Sequence, residues 1–158
     1  SICSIITLIH NFITKLNNPL ISQDHSKSIV DGLYLFGLSD HHSGYIIPEF
    51  NHYFTYPLLH NKVRMFYDNG KPVGVVTWCF LTDEKAEAFS EDAYLIEEED
   101  YISEEGDQLW GIEFIAPFGH TRPIMRAMRN MVHQRYPKHS TVHWKRVHTG
   151  IQHTTRNF

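Results

Sequence analysis

Apolar residues along this chain change their spacing from helical to alternating and back. In the first sixteen positions Ile2, Ile5, Ile6, Ile9, Phe12, Ile13 and Leu16 recur every three or four residues, the period of one helix face. Asn17-Asn18-Pro19 ends that pattern. Residues 21–28 are polar and read as a loop. Ile29, Val30, Leu33, Tyr34, Phe36 and Leu38 predict a short buried helix over 29–38. Ser39-Asp40-His41-His42-Ser43-Gly44 follows as a polar break. Pro48 then suits a first helical turn, and Phe50, Phe54 and Leu58 continue an apolar stripe.

Beyond residue 60 the period falls to two. Val63, Met65 and Tyr67 alternate, and so do Val73, Val75 and Thr77. Between them Asp68-Asn69-Gly70-Lys71 offers residues that tolerate positive φ, so a hairpin is predicted over 62–80. Residues 83–90 predict a short helix, and the acidic stretch 91–107 a surface excursion in which Glu97-Glu98-Glu99-Asp100 is solvated. In the strand predicted over 108–116, alternation puts Trp110, Ile112, Phe114 and Ala116 on one face. Gly111, Glu113 and Ile115 point the other way. Residues 121–136 form an amphipathic helix with Ile124, Met128, Met131 and Val132 on one side, and 140–147 a last strand. This order predicts an α/β fold with a mostly antiparallel sheet flanked by helices. With no repeat and no linker, residues 1–158 read as one domain, with 1–28 an N-terminal helical extension.

Composition narrows the class. A hydrophobic fraction of 42% with 20% charged residues excludes a disordered chain. A net charge of −4 gives no general attraction to nucleic acid. Two cysteines, Cys3 and Cys79, make no disulfide framework, so a reducing, cytoplasmic compartment is expected. No apolar run approaches the roughly 20 residues that span a bilayer. The first segment lacks a basic start and is broken by His10, Asn11 and Lys15, which speaks against a signal peptide. It is expected to pack on the domain or, in a homodimer, on a second subunit; a membrane-surface helix is the alternative.

Three features could carry chemistry. Glu113 is a carboxylate inside an apolar strand, which is costly to bury unless it meets a partner; solvent or an arginine would serve equally. His41 and His42 sit in a polar loop, where imidazole suits acid–base catalysis and also suits plain solvation. Arg122, Arg126 and Arg129 recur at i, i+4 and i+7, a basic stripe that fits either an acidic partner or solvent. His139, His143, His148 and His153 are spaced for metal ligation only on a helix, which Pro137, Val142, Trp144 and Val147 disfavour. No bound metal or cofactor is expected.

The segment LWGIEFIAPFG over residues 109–119 resembles the W-x-I-D-W-I-A-P-F-G strand of the toxin-activating lysine acyltransferases, the hemolysin-activator family. GLYLFGLSDHHSGY resembles that family's aromatic helix ending in S-P-L-H, with Ser39 and His42 at the serine and histidine. YDNGKPVGVVTWCFLTDE, Gly106-Asp107 and Met128-Arg129 extend the likeness, which covers roughly residues 29–147. The resemblance implies a GNAT-like fold. It implies transfer of a fatty acyl group from acyl carrier protein to internal lysines of an RTX protoxin. It places the catalytic histidine on His42 and the catalytic aspartate on Glu113, one methylene longer. His120 is a second departure, where the family more often has aspartate. With that chemistry, His42 acts as general base or as a transient acyl carrier, Ser39 supports it, and Glu113 orients the imidazole. Ala116, Phe118 and Gly119 would bind the acyl donor and its oxyanion, and the arginine stripe would dock the acidic carrier protein. Two rivals follow from the departure at Glu113 and from the fold: a non-catalytic toxin- or carrier-binding relative, and an enzyme acylating a small amine.

Overall fold

A computed structural model describes residues 23–146 and 152–157. The predicted helix at 1–16 lies outside these residues. Helix α1 (Gln23–Leu38) starts six residues earlier than the apolar pattern suggested. Its first turns are polar, but nothing in them breaks a helix. Lys27 pairs with Asp31 one turn on at 2.5 Å, and Tyr67 donates to the same carboxylate at 2.7 Å. Leu35 and Phe36 are buried, whereas Val30, Leu33, Tyr34 and Leu38 face outward, so α1 is half-buried rather than buried.

A second helical stretch runs through α2 (Ile47–Phe50), a π-turn over Asn51–Thr55, and α3 (Tyr56–Leu59). Pro57 explains the wide turn. It has no N–H to give and its ring crowds the preceding turn, so the helix opens just before it. Phe50 and Phe54 stack at 5.0 Å and meet Phe36 edge-on.

Strands β1 (Val63–Asp68) and β2 (Lys71–Leu81) form the expected hairpin. Asn69 and Gly70 both take positive φ, 48° and 76°, as the tight turn requires. Helix α4 (Asp83–Ser90) is capped by the Thr82 side chain, which accepts the Lys85 N–H. The acidic stretch corrects an expectation. It contains a short helix, α5 (Glu98–Ile102), and it is tied to the core. Ile96 and Tyr101 are fully buried against Cys79, Leu81 and Trp110. Asp100 is buried too, and accepts from Lys85, Tyr94 and the Glu97 N–H, which satisfies its charge.

Strand β3 (Gln108–Ile115) pairs antiparallel with β2. Helix α6 (Thr121–Arg135) then crosses over, so that β4 (Thr141–Arg146) runs parallel to β3. A fifth strand, β5 (Gln152–Asn157), pairs antiparallel with β4. Its residues are polar and carry no strand pattern, which is why periodicity does not find it. The sheet order is β1-β2-β3-β4-β5, with one parallel pair among four. Helix α6 covers one face through Ile124, Met128 and Val132; α1 to α3 and α5 cover the other. This mixed sheet flanked by helices is compatible with a GNAT-like acyltransferase fold.

Candidate active site

The site begins with an irregularity in β3. Val76 lies opposite Phe114 and Trp78 opposite Gly111, so Ile112 and Glu113 together oppose Thr77. This is a β-bulge, and it reverses which way the following side chains point. Before it, Trp110 and Ile112 pack with Cys79 and Leu81 on the α1 side. After it, Phe114 and Ala116 pack with Val76 and Ile124 on the α6 side, and Ile115 with Val75 on the α1 side. Strict alternation, which put Trp110, Ile112, Phe114 and Ala116 on one face, therefore fails. The bulge brings Glu113 to the α1 side. Its backbone N–H, freed from the ladder, donates to the Thr77 hydroxyl at 3.0 Å.

His42 reaches the same place from the end of α1. The chain winds tightly there: the His42 N–H donates to the Ser39 carbonyl at 2.9 Å and the Tyr45 N–H to the His42 carbonyl at 3.0 Å. The imidazole is 7% exposed and lies edge-on to the rings of Phe36, His41 and Tyr45. Its Nε2 lies 2.5 Å from Glu113 Oε2, and its Nδ1 lies 2.6 Å from Ser39 Oγ. Glu113 is also 7% exposed. The buried carboxylate thus meets a histidine, not solvent or an arginine.

With Glu113 ionised and the ring neutral, these contacts assign the ring proton. A carboxylate only accepts, so Nε2 carries a proton in the neutral ring. Nδ1 is then the basic nitrogen, and it accepts from the Ser39 hydroxyl. Ser39 is half-buried.

Three tyrosines feel the charge of Glu113. Tyr45 Oη donates to Oε1 at 3.4 Å. Burial first, then the Glu113 charge, pushes the phenols of Tyr45 and Tyr53 above the ordinary tyrosine value. Tyr101 is raised by burial and then by Cys79 and Glu113, and its buried hydroxyl finds no hydrogen-bond partner among the described residues. All three therefore keep their protons at neutral pH. The structure brings together Ser39, His42 and Glu113, which sequence reasoning singled out, and sets Tyr45 and Thr77, which it did not, in contact with Glu113. Nothing in the spacing of these last two marks them, because they converge from separate elements.

The other expected site residues lie apart. Ala116 packs into the α6-side core. The Gly119 N–H donates to the Ala116 carbonyl at 3.3 Å, so it serves an oxyanion only by giving up that bond. Phe118 is half-exposed and, with Val30, Tyr34, Pro72, Val73 and His120, lines an open groove of about 690 Å³ beside α1. Arg122, Arg126 and Arg129 are exposed on α6. His139 packs on Phe80 and His143 stacks on Trp110, which lie on opposite faces of the sheet, so these two histidines do not converge.

Known proteins share parts of this sequence. An uncharacterized protein of Synechocystis, sll0720, is 26% identical over 114 residues, covering 71% of this chain and 76% of that protein. The leukotoxin-activating lysine-acyltransferase LktC of Mannheimia haemolytica serotype A1 is 32% identical over 82 residues, 51% of this chain and 46% of its own length. The RTX-II toxin-activating lysine-acyltransferase ApxIIC of Actinobacillus pleuropneumoniae is 32% identical over 82 residues, 51% and 48% respectively. The chain thus spans about half the length of the toxin activators it matches. The RTX toxin acyltransferase (HlyC) family matches residues 22–156, a span that holds both the Ser39–His42 turn and Glu113. The chain belongs to the RTX toxin acyltransferase family.

Proposed function

We propose that this chain moves a fatty acyl group from acyl carrier protein to lysine ε-amines of an RTX protoxin in the cytoplasm. The observation that carries the reading is the chain Ser39–His42–Glu113, with His42 and Glu113 buried and one partner on each imidazole nitrogen. The acceptor amine is the obstacle, because a free lysine is almost fully protonated at neutral pH. His42 Nδ1 takes the amine proton, directly or through the Ser39 hydroxyl. The amine nitrogen then attacks the thioester carbonyl, forming a C–N bond. Collapse of the tetrahedral intermediate breaks the C–S bond, the imidazolium gives its proton to the leaving thiolate, and the nitrogen loses its second excess proton to solvent, so each turnover from a protonated lysine releases one proton. Glu113 holds Nε2–H and offsets the positive charge that His42 gains. Transient acylation of His42 is the alternative route, and it needs Ser39 to vacate Nδ1.

Ala116, Phe118 and Gly119 are assigned to the acyl donor, supported by the exposed Phe118 ring in the groove that follows β3. Arg122, Arg126 and Arg129 are assigned to the acidic carrier protein, since no salt bridge among the described residues occupies them.

Coexpression with an RTX protoxin, followed by mass mapping of its lysines, tests the reading. Wild type should add acyl masses, His42→Ala none, and a reversal of the three arginines should lower the yield most at low salt, where their charge is least screened. Unmodified lysines with wild type, beside modification by an authentic family member, would favour the non-catalytic relative. Transfer from acyl-coenzyme A to small amines would favour the third reading.

A further inference from the structure

We propose that Tyr45 is a positioning residue that fixes Glu113, and through it the tautomer and orientation of His42. The inference rests on the functional reading above for its kinetic consequence, but not for its geometry. Each oxygen of Glu113 has its own partner: Oε2 meets His42 Nε2 at 2.5 Å and Oε1 meets Tyr45 Oη at 3.4 Å. A carboxylate tied through one oxygen still turns about its last, soft torsion. A donor on the second oxygen removes that freedom. At 3.4 Å the phenol contact is long for an O–H···O bond.

The phenol is itself held. Its ring lies 5.9 Å from Phe36, 5.2 Å from His42 and 5.7 Å from Tyr53. Its backbone N–H donates to the His42 carbonyl, so one tight turn carries both the imidazole and the donor that steers the imidazole's partner. The path closes on itself: His42 backbone to Tyr45, Tyr45 to Oε1, Oε2 back to the His42 ring. Burial and the Glu113 charge keep the phenol protonated, so Tyr45 stays a donor through the working pH range.

This arrangement has a specific chemical use. If Glu113 swings away from Nε2, the neutral ring is free to move its proton to Nδ1, and the basic nitrogen then faces away from Ser39. Tyr45 opposes that exchange.

The test is Tyr45→Phe, which keeps the ring and removes only the hydroxyl. The expected result is a fall in kcat on the order of tenfold, with KM for carrier and protoxin nearly unchanged. In a Glu113→Gln background the same substitution should cost nothing further, because it acts through that carboxylate. Histidine ¹⁵N spectra give a readout independent of turnover: wild type should show His42 protonated at Nε2, and Tyr45→Phe a mixture with the Nδ1–H form. Unchanged kcat and unchanged imidazole shifts would overturn the proposal, and so would a full additive loss beside Glu113→Gln. A wild-type protein that transfers no acyl group would overturn the functional reading alone, and the imidazole spectrum would then decide the role of Tyr45.

Discussion

Glu113 illustrates how a single residue depends on its backbone. Its carboxylate reaches His42 because one extra residue in β3 turns it toward α1, and that turn leaves its N–H without a ladder partner. Thr77, fully buried on β2, supplies the missing acceptor at 3.0 Å. Thr77→Val keeps the shape and removes the oxygen. The buried N–H is then unsatisfied, at a cost of about 1–3 kcal/mol. Urea denaturation should show a lower midpoint with an unchanged slope, and acyl transfer should fall with it as Glu113 loses its seat. A variant with wild-type stability and rate would show that the bulge does not need this bond.

At the scale of elements, the parallel pairing of β3 and β4 depends on Gly111. A Cβ built there would stand 2.1 Å from the Trp144 ring, far inside van der Waals contact. Trp144 lies opposite Gly111 in the register and packs into the α6-side core. Gly111→Ala therefore pushes the indole out of a packed layer, and overpacking of this kind costs about 1–3 kcal/mol. Because Gly111 adjoins the bulge, the strain falls beside the site as well. Thermal melts should show a lower midpoint for Gly111→Ala, whereas Gly37→Ala, which meets nothing within 4 Å on α1, should not. Equal melting of both variants would mean that β4 adjusts freely.

Over the whole molecule, acid stability depends on two features away from the site. Lys62 is only 3% exposed and pairs with Glu104 at 2.8 Å. That hydrogen bond, more than the opposing effect of burial, holds the Glu104 carboxyl below its ordinary value. A carboxyl lower in the folded state contributes stability that is full above the unfolded value, about 4.3, and lost as pH falls through the folded one. Protonated Glu104 also leaves a buried ammonium without its partner. His139 is pushed below its ordinary value by burial, so the unfolded chain takes that proton first. Its effect begins as pH falls below about 6.5. Melting temperature should be flat near neutrality, dip below about pH 6.5, and drop again below about pH 4.3. Glu104→Gln should lower stability at neutral pH and flatten the second drop. An acid limb identical to wild type would remove Glu104 from the account.

Much of this protein is legible in its residues taken in order. Alternation and Asn69-Gly70 specify the β1–β2 hairpin, because strand faces and positive-φ turns are local properties. The apolar stripe of α6 and the mostly antiparallel order of strands follow in the same way. Ser39, His42 and Glu113 could be named through family likeness, although their roles could not be derived from spacing. What only the tertiary structure decided is their meeting. Glu113 and His42 stand 71 positions apart, and strict alternation aims Glu113 at the wrong face. The bulge that corrects its aim is a mismatch between two strands, so it exists in neither strand alone. The polar strand β5 and the burial of Asp100 have the same origin: each is satisfied by a partner that the chain reaches only after folding.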